Sequence, residues 1–224
     1  MIWVYAICES GAAEQLHGAG LAGVPLESVR DDGLAAVISR HAEPPDERLG
    51  DALVRHEQTV ERLMDAGAVL PMRFGSRLAD VSALRDALAA RHSELVDALD
   101  AVRGRVELGV RALWAGGGAP VGAQRSGSPS GVGYVRARLE LLHRDEEAAT
   151  AIHEPLEAMA AAASRHPERP GEVLRGSYLV ERSVVDEFRA RARELQSLHA
   201  ELAVLCTGPW PPYSFVELPA LALQ

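Results

Sequence analysis

The segment Leu205-Cys206-Thr207-Gly208-Pro209-Trp210-Pro211-Pro212-Tyr213-Ser214-Phe215-Val216 constrains this chain more than any other stretch. It follows the apolar run Leu202 to Leu205, which reads as a strand. Gly208 and Pro209 are expected to stop that strand, because proline fixes its own φ and has no N–H to give to a ladder. Pro211 and Pro212 hold the next residues extended, so Tyr213 and Phe215 are expected on one side and Ser214 and Val216 on the other. A stiff aromatic corner of this kind suits packing or docking. It carries no nucleophile, acid–base pair or set of metal ligands.

Hydrophobic periodicity gives the remaining order. Ile2 to Cys8 is apolar on both alternating faces, Ile2, Val4 and Ala6 on one and Trp3, Tyr5 and Ile7 on the other, as in a central strand covered on both sides. A short helix or loop from Gly11 to Gly20 follows. Leu26–Arg30 and Leu34–Ser39 form a hairpin around Asp31-Asp32-Gly33. Leu49, Leu53, His56, Val60 and Leu63 recur at helical spacing and predict a helix over 49–66, closed by Gly67. Ala68–Met72 is a short strand. Val81, Leu84, Leu88, Leu95, Leu99 and Val102 predict one long amphipathic helix. Then come a half-buried strand over 106–114, a Gly/Ser/Pro-rich linker over 116–133 expected to be flexible, and a helical stripe from Tyr134 to Ala163 that Pro155 should kink or divide. His166 to Gly171 is a turn and Val173–Arg182 a strand. A last long helix has Ser183 as its expected N-cap, and the strand over 202–207 ends the series. The fold class expected is α+β, two ferredoxin-like α/β-sandwich halves with long amphipathic helices, divided as 1–104 and 105–224. Each half ends on a helix, a short apolar strand and a proline-bearing turn with an aromatic. That is compatible with an internal duplication, but the few identities favour two similar sandwiches in series.

The 224 residues suffice for two small domains of roughly 100–150 residues each, and 47% hydrophobic content is enough for real cores. A formal net charge of −9 argues against nucleic acid and anionic membrane surfaces as partners. Cys8 and Cys206 each lie in an apolar strand and read as reduced packing residues. With no charged start before an apolar segment, and no apolar run near 18 residues, the chain is expected to be cytoplasmic. Only Pro219 to Gln224 follow Glu217-Leu218, which leaves little room for an extended C-terminal arm.

Motifs that would carry chemistry fail one by one. His56-Glu57 has Val60 where H-E-x-x-H needs its second histidine, and His153-Glu154 has Glu157 there. His56 lies on the apolar face of its helix and reads as a buried, hydrogen-bonded residue. There is no GxxxxGK[ST] and no GxSxG, and Ser126, Ser128 and Ser130 sit in the linker without an orienting base. A Cys206–His199 dyad would require a thiolate in an apolar strand. No catalytic residue, cofactor or metal is expected. Arg73 has two readings, a carboxylate-paired bridge between the halves or a residue presented to a partner, with the first preferred. Trp210 is expected to be buried, with Tyr213 to Val216 as the exposed edge. The alternative is an exposed Trp210 acting as a binding hot spot.

TGPWPPYSFV, Leu70-Pro71-Met72-Arg73-Phe74-Gly75 and Tyr178-Leu179-Val180 resemble the gas vesicle protein GvpL/GvpF family. So do Ile2-Trp3-Val4-Tyr5-Ala6, the His56-Glu57 pair and the Gly133-Tyr134 helix start. The resemblance covers nearly the whole chain. It implies a non-enzymatic accessory protein of the cytoplasm and the gas vesicle, associated with the shell protein GvpA and other accessory Gvp proteins. The candidate partner-binding residues, taken from the residue pattern itself, are Trp210, Tyr213, Phe215, Arg73 and Phe74. The alternative is a minor structural component of the vesicle wall, and a third reading, an enzyme acting on a small metabolite, is not excluded by a fold that hosts many activities.

Overall fold

The computed structural model describes residues 1–14, 16–44, 47–116 and 131–216. They divide into two units, residues 1–106 with 210–216 and residues 107–209. The expected boundary at 104/105 lies close to the first crossing. The chain then returns to the first unit at Trp210, so the C-terminal segment does not stay with the second half. The partly buried Val216 packs on the first unit's apolar core.

The first unit is built on β1 (Ile2–Glu9), α1 (Ser10–Glu14), β2 (Glu27–Asp31), β3 (Leu34–Arg40), α2 (Leu49–Ala66), β4 (Val69–Pro71) and β5 (Arg77–Leu78). The sheet order is β2-β3-β1-β4, the antiparallel ferredoxin-like order, with β5 added against β1. Asp32 and Gly33 both have positive φ, 40° and 84°, which is the two-residue turn that matches the twist of β2 and β3. β1 is buried from Ile2 to Cys8, as expected of a strand covered on both faces. A register shift between Val4 and Ala6 alters the alternation, because a bulge inserts one residue and flips the side chains that follow. Ile7 therefore joins Ile2 and Val4, packed with Leu84, Leu88, Leu95 and Leu99, and not Trp3 and Tyr5.

Those leucines come from α3 (Val81–Ala90) and α4 (His92–Val102), two helices where one was expected. Asp80 caps α3 by accepting the Ala83 N–H at 3.0 Å. At Arg91 the backbone leaves helical geometry (φ −126°, ψ 19°), and its N–H bonds Leu88 O. The offset places His92 Nε2 2.9 Å from the carbonyl of Asp32 in the hairpin, where it donates.

The second unit contains β6 (Arg105–Trp114, whose first two residues belong to the first unit), α5 (Gly131–Glu157), β7 (Ala162–Arg165), β8 (Glu172–Glu181), α6 (Val185–Leu198) and β9 (Leu202–Trp210). Its sheet order, β7-β8-β6-β9, repeats that of the first unit. Leu108, Val110, Tyr178 and Val180 of the sheet meet Ile152 and Leu156 of α5 and Phe188, Ala192 and Leu195 of α6.

β7 is absent from the sequence reading, which carries the helical stripe on to Ala163. Alanine-rich 158–163 has high helix propensity, but pairing with β8 in register Ala162↔Leu179 to Arg165↔Gly176 overrides it. Pro155 does not divide α5; the helix ends two residues later. At the other end α5 starts at Gly131, inside the expected linker, and residues 117–130 of that linker lie outside those described. Ser183 does not cap α6: it sits in a 3-10 turn over Arg182–Val184, and the cap position is Val184. β9 runs through Gly208-Pro209 to Trp210 and does not stop before it. As an edge strand it tolerates a proline whose missing N–H no neighbour requires.

Candidate functional site

In the first unit the residues singled out by sequence gather around two successive positions of α2. The helix buries Ala52, His56, Thr59, Val60, Leu63 and Met64. His56 is fully buried. Its Nε2 donates to the carbonyl of Met72 at 2.8 Å, so its Nδ1 accepts from Trp3 Nε1 at 3.3 Å. Tyr5 stacks on the imidazole at 5.2 Å between centroids, and Phe74 meets it edge-on at 5.6 Å and packs against Trp3 at 5.1 Å. Burial pushes the His56 pKa below the ordinary histidine value, which keeps the ring neutral and in one tautomer. This is the buried, satisfied histidine expected from the pattern.

Glu57, the next residue, accepts from the hydroxyl of Tyr213 on both carboxylate oxygens, at 3.0 and 3.1 Å. Burial raises the Glu57 pKa, the Tyr213 bond opposes that rise, and the charge of Glu61 adds to it. The phenol itself is pushed well above its usual range, first by burial and then by the carboxylate it faces. Sequence reasoning noticed Glu57 only as half of a failed metal motif. An acid on the margin of a helix's apolar face was the available signal that it would meet a donor.

The five candidate residues therefore differ in kind. Phe74 is an element of the aromatic cluster. Tyr213 is tied to Glu57, and Tyr213 to Phe215 form a 3-10 turn in place of the extended edge that was expected. Its bonds run from Tyr213 N–H to Pro211 O at 2.8 Å and from Phe215 N–H to Pro212 O at 3.1 Å, and Pro211 and Pro212 are buried. Trp210, expected to be buried, is 46% exposed. Arg73 is exposed and makes no ion pair among the described residues, so the carboxylate required by its bridging role is absent there. Exposure thus falls on Trp210 and Arg73, and anchoring on Phe74 and Tyr213, with Phe215 half-buried in the turn.

A second buried relay backs the same sheet. Leu21 N–H donates to the Tyr5 hydroxyl at 2.7 Å, Tyr5 reaches Ser39 Oγ at 2.8 Å, and Ser39 reaches His41 Nε2 at 2.7 Å. Gly20 is needed for this approach, since a Cβ there would sit 2.1 Å from the Tyr5 oxygen. Ser39 is fully enclosed, so the Ser–His contact is a packing feature and not a nucleophile. Burial raises the thiol of Cys8 to about 12 and that of Cys206 in the same direction, so neither is a thiolate. Among the described residues there is no group of three His, Cys, Asp or Glu able to hold a metal ion, and no helix long and apolar enough to cross a membrane.

In the second unit, side chains of α6 occupy backbone groups of the edge strand β9. Gln196 donates to Leu202 O and accepts the Val204 N–H, and Arg189 donates to Gly208 O at 2.7 Å. These bonds blunt strand-on-strand pairing at both ends of that edge. The other conspicuous surface is the first half of α5. Every residue from Gly131 to Glu140 is exposed, and Val132, Tyr134, Val135, Leu139 and Leu142 are all at least half exposed.

The model of the gas vesicle synthesis protein GvpL/GvpF family matches residues 1–217. This chain belongs to that family. It is 30% identical to gas vesicle protein F of a Streptomyces species, over 96% of this chain and 99% of the relative. It is 28% identical to gas vesicle protein F2 of Halobacterium salinarum, over 97% of this chain and 92% of the relative. To gas vesicle protein L of the same Streptomyces it is 30% identical, over 76% of this chain and 70% of the relative. The crystal structure of GvpF from Anabaena superimposes with a TM-score of 0.83 at 20% identity, covering 97% of this chain and 96% of that one. GvpF from Microcystis aeruginosa gives 0.78 at 17%, covering 97% and 99%. These likenesses carry the fold of this GvpL/GvpF protein and its place among gas vesicle proteins.

Proposed function

We propose that this GvpL/GvpF protein binds the main shell protein GvpA, and other accessory Gvp proteins, during gas vesicle assembly. It acts in the cytoplasm and at the growing vesicle. A subunit that forms a gas-tight apolar wall exposes much apolar surface before it is built in, and aggregates unless that surface is covered. The observation that carries the reading is the aliphatic surface this protein leaves open on the first half of α5. The half-exposed Trp210 of the first unit is a second anchor of the type found in binding hot spots. Arg73 stands beside the packed Phe74 in sequence and, with no ion pair among the described residues, offers its charge for a polar rim. Tyr213 and Phe215 serve by fixing the segment that presents Trp210.

The test is co-purification of the tagged full chain with co-expressed GvpA. We expect a stable complex, weakened roughly tenfold by Trp210→Ala, the order of effect of losing one aromatic anchor. No complex, under conditions in which GvpA stays soluble, removes the reading. Washing intact vesicles with urea separates it from the wall-component alternative: an assembly factor leaves with the wash, and a resident wall protein remains.

A further inference from the structure

We infer that the first three turns of α5 are a docking surface for a partner's amphipathic helix whose apolar face is flanked by acidic side chains. This rests on the reading that the protein works by binding other Gvp proteins, and names the surface and the chemistry it would take. Val132, Val135, Leu139 and Leu142 are spaced three, four and three residues apart. That is the seam spacing of helices packed in pairs, and it suits a helix better than a flat sheet or a bilayer. The seam is roughly 15 Å long at the usual helical rise. All four side chains are at least half exposed, from 50% at Leu139 and Leu142 to 74% at Val132.

Arg136 and Arg138 flank the seam, one on each side, and neither is ion-paired among the described residues. Among the carboxylates of α5, Glu140 is exposed one turn beyond Arg136, and two further along are engaged. Asp145 accepts from Trp114 Nε1 at 3.0 Å, and Glu146 pairs with Arg165 at 2.7 Å. Arg136 and Arg138 outnumber Glu140 in this stretch, so the net charge beside the seam is positive, and a complementary partner is acidic there.

A second copy of this chain does not meet that demand. An antiparallel pair that matches the four aliphatic residues sets Arg136 against Arg136 and Arg138 against Arg138. A parallel pair sets Arg138 beside His143. Anionic membrane is disfavoured by the net charge of −9. The helix itself argues for an occupant. Gly131 and Gly133 weaken it, no burial supports residues 131–140, and a helix of that length is marginal by itself.

The experiment places a photo-reactive benzophenone side chain at position 139 of the full chain, co-expressed with the Gvp proteins, and maps the cross-linked peptide. Capture by Leu139→Asp and by Arg136→Glu with Arg138→Glu is measured in parallel, with Arg136→Lys and Arg138→Lys as the conservative pair. Expected are a cross-link within a helical segment bearing Asp or Glu beside its apolar face, at least tenfold lower capture by the Asp and Glu variants, and retained capture by the Lys pair. The altered side chains are exposed, so unchanged thermal unfolding of the variants is part of the expectation. A cross-link to a second copy, to lipid or to a basic segment overturns the proposal. So does capture that survives both variants while the unaltered protein binds its partners, an outcome that leaves the function standing. If the unaltered protein captures no Gvp protein at all, the functional reading fails and this inference with it.

Discussion

His56→Ala lowers the stability of the first unit by about 3–5 kcal/mol, the upper range for a single core substitution. Three costs add. The ring is fully buried between Tyr5 and Phe74, so its removal leaves a cavity. Trp3 Nε1 loses its acceptor, and Met72 O loses the donor that now meets it at 2.8 Å. Denaturant unfolding followed by circular dichroism measures the effect, and a loss below about 1 kcal/mol would mean the cluster is not built as described. The same residue gives the unaltered protein a pH dependence. Because the folded-state pKa of His56 is depressed, its contribution is complete above the ordinary histidine value and is lost as pH falls towards the lowered one. The alanine variant lacks that part of the acid sensitivity.

Tyr213→Phe costs about 1–2 kcal/mol at neutral pH, a value set below that of a fully buried charged hydrogen bond because Glu57 keeps part of its solvent. The sign of its pH dependence is opposite. Glu57 has a raised folded-state pKa, so the stability gained by protonating it is fully present below its unfolded value and is lost as pH rises through the folded one. The tyrosine offsets that loss by stabilising the ionised carboxylate. Removing its hydroxyl therefore costs most at neutral pH and progressively less as Glu57 protonates. Glu57→Gln keeps an acceptor for Tyr213 but abolishes this titration, so a Tyr213→Phe penalty measured in the Glu57→Gln background should lose its pH dependence. A Tyr213→Phe penalty that is independent of pH would show that the hydroxyl does not serve the carboxylate.

Strong periodicity over long stretches was readable directly. The 49–66 helix, the two-sided β1 and the Asp-Gly hairpin all follow from residue pattern, because burial on a regular face leaves a regular trace. What escaped the sequence depends on tertiary choice. The bulge in β1 reassigns Ile7 without altering composition. The break at Arg91 falls inside an unbroken leucine stripe. β7 is an alanine-rich segment that β8 recruits against its own propensity. The candidate site was half legible. His56 declared itself by lying on an apolar face, and the Pro-rich corner by its composition. The exchange of roles between Trp210 and Tyr213 was not legible, because only the fold shows that a glutamate of α2 waits for the phenol.

A preformed surface offered to an aggregation-prone Gvp partner keeps that partner soluble, and this is the property on which the proposed function rests. Its most direct test is the fraction of GvpA left in the supernatant after high-speed centrifugation of cells that make GvpA with or without this chain. We expect a severalfold rise in soluble GvpA when the chain is present, with GvpA and the chain co-eluting on size exclusion. Equal GvpA sedimentation in both cases, with the chain eluting alone, would contradict it.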